Sequence, residues 1–469
     1  MIEFSRVKKI HFVGIGGAGM SGIAEVLHNM GFIVSGSDIS ESATSKRLKA
    51  MGINVYLGHG KNNLQDAETL VYSSAVSKEN EEVQEARLRK IPVIPRAEML
   101  AELMRVKFSL AVAGTHGKTT TTSMIATILT QAQLDPTFVV GGKLNIGESG
   151  AKLGKSPYFV AEADESDGSF LRLFPTLAVI TNIENDHLDY YENMDRLREA
   201  FVDFGNKVPF YGSVILNMDC TETRGLANRF NKRVLTYSID HDSGVKADNI
   251  ETSLFAAVFA LTVNGESRGR IELNVGGRHN VSNALAAITA SLETGIDLEI
   301  IKEGLKRFYL PDRRFQVLFY NTDYLVVDDY GHHPTEIKAT LDTLVSGNFK
   351  RIIAVFQPHR YTRLQLLMDR FAGCFDVVDQ LVIAELYSAN QEEIPGVNSR
   401  ALVEKIKHTG FNPKKLFYID TFEGITRHLN TTLRPGDAVV FFSAGNLTYT
   451  AHSFAKQLGQ QEQTEEGGK

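Results

Sequence analysis

The sequence predicts an α/β protein of three domains, and three observations carry that prediction. Short apolar runs alternate with stretches of helical apolar spacing along most of the chain, the pattern of parallel strands joined by helices. Two glycine-rich turns, GIGGAGM at 14–20 and GTHGKT at 114–119, each follow an apolar run and precede a helical stretch. The length of 469 residues suffices for about three domains of ~150 residues each. The domains are expected at 1–107, 108–312 and 313–469: a Rossmann-like domain, a central domain built on a phosphate-binding loop, and a second Rossmann-like domain ending in a frayed tail.

Composition narrows the class. A hydrophobic share of 43% and a charged share of 23% are those of an ordinary globular protein. The net charge of −6, without a basic tail, argues against nucleic acid as the main partner. Two cysteines, Cys220 and Cys374, lie far apart with no CxxC, which fits a reducing compartment and argues against a disulfide scaffold or a cysteine zinc site. The start MIEFSRVKKIHFVG has no h-region, and no apolar run approaches the ~18 residues of a membrane span. A cytoplasmic protein without membrane insertion is therefore expected.

In the first domain, Gly14, Gly16 and Gly19 spell G-x-G-x-x-G after an apolar strand, with Gly17 inside the turn. A second strand, FIVSGSD, ends at Asp38, an acid about 20 residues past the glycines, as in dinucleotide-binding folds. A helix N-terminus recognises phosphate and not nicotinamide, so NAD, a sugar nucleotide and a plain tight turn all remain open here. VYSSAV brings Ser73 and Ser74 to another strand end, and IPVIPRAEMLAELM, with Arg96, leads out of the domain.

The central domain opens on FSLAVA (108–113), read as a buried strand, then GTHGKT and a helix to about Leu129. The usual phosphate loop has a glycine where Val112 stands. The strand-to-helix setting nevertheless makes Gly114, Thr115, His116, Gly117, Lys118, Thr119 and Thr120 an anion site. Lys118 would reach the terminal phosphates of ATP, and the Thr119 hydroxyl would coordinate Mg²⁺. Two further strands end in carboxylates, AEADESDGSF with Glu162, Asp164 and Glu165, and TNIENDHLDYY with Asp186, His187 and Asp189. Carboxylates beside phosphate oxygens suit Mg²⁺, although any one of them could be a solvated loop residue. In GGRHNVSNALAA, His279, Asn280 and Asn283 open a helix, as adenine contacts or as simple caps.

The third domain repeats strand, polar loop and helix at YLVVDDYGHHPTE, RIIAVFQPHRYTR and DAVVFFSAGN. The pair His332-His333 and His359 lie on different loops with no H-x₃-H spacing, which argues against zinc. Arg313, Arg314, Arg360 and Arg363 read either as anion contacts or as solvated surface.

AGTHGKTTTT, AEADESDGSF, TNIENDHLDYY, GGRHNVSNALAA, PDRRF, DDYGHHPTE and FQPHRYTR, in this order, resemble the Mur ligases from about Lys8 to about Ser453. That family spells its nucleotide loop G-T-x-G-K-T, so Val112 is expected. The resemblance implies an N-terminal domain that holds a UDP-sugar, a central ATPase domain and a C-terminal domain that brings the amino acid. It implies ATP-dependent joining of L-alanine to the lactyl carboxylate of UDP-N-acetylmuramate through an acyl phosphate, in the bacterial cytoplasm, by a monomer or weak homodimer. The alternative is a recycling ligase that attaches a whole tripeptide. Carried over position by position, Gly14, Gly16, Gly17, Gly19, Asp38, Ser73, Ser74 and Arg96 would hold the UDP-sugar. Residues 114–120 would hold the phosphates of ATP, His279, Asn280 and Asn283 its adenine, Asp329 its ribose, and Arg314 would lie near the phosphates. Thr119 and Glu162 would hold one Mg²⁺ and His187 a second. Lys118, His187, His333, His359 and Arg360 would form the catalytic set, with His332 beside the amino acid. Some relatives use a carbamoylated lysine near the second metal. No lysine occurs between His187 and Lys207, so that role has no residue here.

Overall fold

The computed structural model describes residues 7–467 except Ser74, Val106 and 143–148, and leaves out the side chains of Ala18 and 461–467. The chain divides into two compact units: residues 1–249, 259–272 and 281–309, and residues 250–258, 273–280 and 310–469.

The first unit opens with five parallel strands in the order Asn54–Leu57, Ile33–Asp38, Lys9–Val13, Thr69–Tyr72, Val93–Pro95. This is half of a doubly wound sheet, in which ligands bind beyond the carboxyl ends of the strands where the strand order reverses. That reversal falls beside Lys9–Val13, whose carboxyl end runs into the first glycine turn.

The central sheet has ten strands, with Phe108–Ala113 between Leu177–Ile180 and Tyr158–Glu162, parallel to both. These three strands are almost wholly buried, as their largely apolar sequences suit a parallel sheet covered on both faces. The helix Lys118–Gln131 is buried from Thr119 to Leu129 despite its threonines. Several of its hydroxyls bond back to the helix: Thr122 Oγ1 donates to Lys118 O at 2.8 Å, Ser123 Oγ to Thr119 O at 2.6 Å and Thr127 Oγ1 to Ser123 O at 2.8 Å. Gly304, in the helix Leu298–Lys306, lets that helix approach closely, since a Cβ there would lie 3.0 Å from Ile128 Cα.

The second unit carries six strands in the order Gln316–Tyr320, Tyr324–Asp329, Asp437–Phe442, Arg351–Phe356, Gln380–Ile383, Leu416–Tyr418. The first pair is antiparallel and the others are parallel. Arg351 and Asp437 face each other across adjacent strands, with Nε 2.9 Å and Nη2 2.5 Å from the two carboxylate oxygens. The Asp437 side chain is 1% exposed, so removal of its partner strands a buried anion. Arg351→Met is expected to destabilise this domain by about 3 kcal/mol, read as a lowered urea midpoint. A midpoint within error of the wild type would show the pair to be dispensable.

One expectation changes at the C-terminus. The polar stretch from Gln457 was expected to fray, but the helix Thr448–Gly467 runs through most of it. Its Gln and Glu residues are good helix formers and extend a helix already anchored by buried Ala451, Phe454 and Leu458.

Candidate active site

Four residues join the strand Phe108–Ala113 to the helix Lys118–Gln131, and their backbone is left-handed at Gly114 (φ +136°) and Gly117 (φ +79°). The turn is sewn to the end of the neighbouring strand. Thr115 N donates to Asn182 O at 3.0 Å and His116 N to Asn182 Oδ1 at 2.8 Å, while Asn182 Nδ2 and Thr181 Oγ1 both donate to His116 O. The N–H groups of Thr115 and His116 are therefore engaged within the protein. The amides from Gly117 to Thr120 lie at the start of the helix, where the first N–H groups have no helical partners and the backbone suits an anion. Asn283 closes the other side: its Oδ1 accepts from Thr121 Oγ1 at 3.3 Å and lies where a Cβ on Gly117 would sit.

Lys118 curls back over the turn. Its Nζ donates to Gly114 O at 2.5 Å and Thr115 O at 3.2 Å, and stands 2.9 Å from both carboxylate oxygens of Glu165. Glu165 is 1% exposed, and His187 Nε2 stands 3.8 Å from its Oε1. Burial is the largest influence on both members of the pair. On Lys118 the carboxylates of Glu165, Glu162 and Asp164 outweigh it and hold the ammonium above its ordinary range. On Glu165 burial prevails, helped by Asp164 and against Lys118, and pushes the carboxyl up to about 7. One ammonium among three carboxylates leaves a surplus of negative charge, and Glu165, the most enclosed, carries the consequence.

The other predicted carboxylate lies beside it. Thr119 Oγ1 is 3.1 and 3.0 Å from the two oxygens of Glu162, whose Oε2 also accepts from Gly141 N at 3.0 Å. A hydroxyl and a carboxylate at this separation are hard oxygen donors converging at a phosphate site, a set that fits Mg²⁺. His187 has left-handed backbone (φ +58°), which turns the chain at the end of the acidic loop, with its Nε2 3.5 Å from Asp186. Glu165 links Lys118 to His187, and Thr119 meets Glu162 beside them. Glu165, singled out in the sequence only as one acid of a cluster, is the residue that holds the lysine. The spacing Asp-Glu-Ser-Asp contains it, but nothing local distinguishes it from its neighbours.

The first glycine turn gathers its own set. Asp38 Oδ2 accepts from Gly16 N at 2.8 Å, Gly17 N donates to Gly14 O at 3.3 Å, and Gly14 (φ +79°) lies against Ser73. Gly19 faces Arg96, whose guanidinium occupies the space a Cβ would take and pairs with Asp164 at 3.2 Å. Ser74 lies outside the described residues.

In the second unit, Asp329 is buried and accepts from Phe315 N and Gly331 N, both at 2.7 Å, and from Thr340 Oγ1 at 3.3 Å. Burial raises its carboxyl above the ordinary range. His333 has no exposure, and its Nδ1 accepts from Thr335 N at 3.3 Å, capping the helix Pro334–Val345. His332 accompanies it, with Nδ1 3.0 Å from Tyr330 O. Asn280 is buried and its Nδ2 donates to Gly276 O at 2.7 Å, on the same helix start as exposed His279. Arg314 lies over the Tyr330 ring and 3.7 Å from Glu336. Arg313, one of the four arginines read as anion contacts, is instead tied inward, to Ser443 O and 3.5 Å from Asp328. His359 stacks on Tyr387 at 5.6 Å, and burial, then Arg363, Arg360 and Arg313, push its imidazole down to about 3, so it is neutral at working pH. Arg360 adopts φ +68°, ψ 134°, a conformation rare for a side-chain-bearing residue, held by its N–H to Tyr387 O at 2.9 Å.

A doubly wound N-terminal sheet, a phosphate loop lined by carboxylates and a C-terminal parallel sheet define a modular ATP-using enzyme, and the family follows from comparison: the chain belongs to the Mur ligases. The family's profiles match at residues 9–108 (Mur ligase family, catalytic domain), 112–291 (Mur ligase middle domain) and 313–445 (Mur ligase, glutamate ligase domain). Among its relatives, a UDP-N-acetylmuramate–L-alanine ligase from Syntrophotalea carbinolica is 47% identical over 98% of this chain and 100% of its own. Another, from Anaeromyxobacter dehalogenans, is 49% identical over 95% of this chain and 96% of its own. Among solved structures, the UDP-N-acetylmuramate–alanine ligase of Thermotoga maritima superposes with a TM-score of 0.83 at 28% identity, covering 97% of this chain and 99% of that one. A murein peptide ligase from Psychrobacter arcticus gives 0.70 at 26%, covering 94% and 98%. Among the described residues no helix is long and apolar enough to cross a membrane.

Proposed function

We propose that this chain joins L-alanine to the lactyl carboxylate of UDP-N-acetylmuramate, converting ATP to ADP and phosphate and making a peptidoglycan precursor in the bacterial cytoplasm. The observation that carries this reading is the 45–49% identity, over nearly the whole chain, to relatives of that activity. The tripeptide-recycling alternative is disfavoured, because the murein peptide ligase fold fits less well than the alanine ligase fold, 0.70 against 0.83.

The chemistry follows from charge. A carboxylate is a poor electrophile, so the γ-phosphoryl group of ATP passes to a lactyl carboxylate oxygen, giving an acyl phosphate and ADP. The neutral amine of alanine then attacks the carbonyl carbon, loses a proton, and the tetrahedral intermediate expels phosphate. Two anions must meet in the first step, and the Lys118 ammonium is the protein's fixed positive charge at that point. To receive ATP it must exchange one of its contacts, with Glu165 or a loop carbonyl, for a phosphate oxygen. Thr119 and Glu162 would hold one Mg²⁺ and His187 a second, supplying further neutralisation of the phosphate charge. The amides of Gly117 to Thr120 orient the phosphates, and Asn283 borders the nucleotide with His279 and Asn280 at the start of its helix. Asp329 would face the ribose and Arg314 the phosphates. His333, His359 and Arg360 would bind the alanine, and a neutral His359 leaves the incoming amine without a second positive charge to repel it. Gly14, Gly16, Gly17, Gly19, Asp38, Ser73, Ser74 and Arg96 would hold UDP-N-acetylmuramate.

The test is phosphate release from MgATP with UDP-N-acetylmuramate, supplied in parallel with L-alanine or with a tripeptide. Release with alanine is expected. Release only with the tripeptide would move the chain to the recycling reaction.

A further inference from the structure

The N-terminal sheet contains a buried charge that the proposed reaction does not use. Glu82, in the helix Glu81–Leu88, has no solvent exposure, and neither do His11 and Ser37 around it. Its Oε2 accepts from Ser37 Oγ at 2.5 Å and faces His11 Nε2 at 3.4 Å and His59 Nδ1 at 3.7 Å. Its Oε1 accepts from Gly60 N at 3.1 Å and Asn63 Nδ2 at 2.6 Å. Among the described residues, its only ion-pair partners within 4 Å are the two imidazoles. Burial is the largest influence and opposes the charge. Hydrogen bonds from His11, Ser37, Gly60 and Asn63 together outweigh it and hold the carboxyl at about 2.

A buried anion without an ammonium or guanidinium partner is costly, so its connections matter. Ser37 O accepts Gly14 N at 2.9 Å and Ile15 N at 3.0 Å, and the next residue, Asp38, accepts Gly16 N at 2.8 Å. The strand end that Glu82 grips through Ser37 is therefore the anchor of the glycine turn. On its other oxygen Glu82 grips the turn that follows the strand Asn54–Leu57, through Gly60 and Asn63, and Asn63 also donates to Gly58 O at 3.1 Å. Gly58 N in turn donates to Asp38 O at 2.7 Å. Both turns leave the carboxyl ends of strands that flank Ile33–Asp38 on either side, where sheets of this kind bind ligands.

We propose that Glu82 is a positioning residue for the sugar nucleotide: it stays beneath the pocket, untouched by ligand, and holds the turns at 14–17 and 58–63 in the geometry that receives the pyrophosphate. The inference rests on the reading of this domain as the UDP-sugar site. A turn displaced by a fraction of an ångström weakens binding there and leaves the ATP site unaltered.

The experiment is calorimetric titration of the full-length protein with UDP-N-acetylmuramate, alongside steady-state kinetics, for wild type, Glu82→Gln and Asn63→Ala. Glu82→Gln is expected to raise the Kd and KM for the sugar nucleotide at least about tenfold, while kcat at saturation and the KM for ATP stay within about twofold. Asn63→Ala, which cuts only the contacts at the partly exposed turn, is expected to move the same parameter by about threefold and carries the test if Glu82→Gln does not fold. An unchanged sugar-nucleotide Kd in the folded variants, or a parallel loss in kcat and ATP affinity, overturns the proposal and leaves Glu82 a merely structural residue. A wild type that binds ATP but not UDP-N-acetylmuramate overturns the substrate reading itself, which a normal wild type with normal variants would not.

Discussion

Lys118→Ala is expected to abolish ATP-dependent phosphate release, with kcat lowered by a factor of about 10²–10³, the cost of losing one preorganised donor at a developing charge. The ammonium stands 2.9 Å from Glu165 and 2.5 Å from Gly114 O, so its position is set before any ligand arrives. The same substitution is expected to lower stability by about 1–3 kcal/mol, because a carboxylate at 1% exposure loses the ammonium beside it. A carboxyl already pushed to about 7 can take up a proton, which keeps the cost at the lower end of that range. Lys118→Met combined with Glu165→Gln separates the two effects: the urea midpoint should recover while phosphate release stays absent. A Lys118→Ala protein that keeps a tenth of wild-type turnover would remove the lysine from the centre of the mechanism.

Glu162→Ala is the second large effect. Its carboxylate lies within 3.1 Å of Thr119 Oγ1 and is steadied by Gly141 N. If these oxygens hold Mg²⁺, the variant loses roughly 3 kcal/mol of charge stabilisation, about a hundredfold in kcat at fixed metal. The half-saturating Mg²⁺ concentration should also rise. Thr119→Val should move in the same direction by a smaller factor, because it removes a neutral donor and not a charge. Identical Mg²⁺ titrations for wild type and Glu162→Ala would place the metal elsewhere.

Much of this site was legible in the sequence because its signals are local. A strand, a glycine turn and a helix leave their marks on adjacent residues, so the phosphate loop was found although Val112 breaks the usual spelling. The same holds for the first glycine turn, whose link to Asp38 is a contact between neighbouring strands. What the turn binds was not legible there, since a helix N-terminus recognises phosphate alike in NAD and UDP-sugars. The identity of the lysine's partner was hidden for another reason. Glu162 ends a strand and Asp164 and Glu165 follow in the loop, and only the path of this stretch past the helix start gives Thr119 to Glu162, Arg96 to Asp164 and Lys118 to Glu165. Arg313 shows the converse: it has the residue type of a ligand contact, while it reaches Ser443 O inside its own domain.

By itself the sequence determined the α/β class, the two glycine-rich strand-to-helix turns and the acidic strand ends, because hydrophobic period and glycine placement are read within a few residues. Only the tertiary structure decided which acid meets which base, that Asn182 takes the N–H groups of Thr115 and His116, and that Glu82 lies buried beneath the first glycine turn. Those pairings span 19 to 71 residues. They depend on strand order and on the exclusion of water, neither of which any local stretch of the chain encodes.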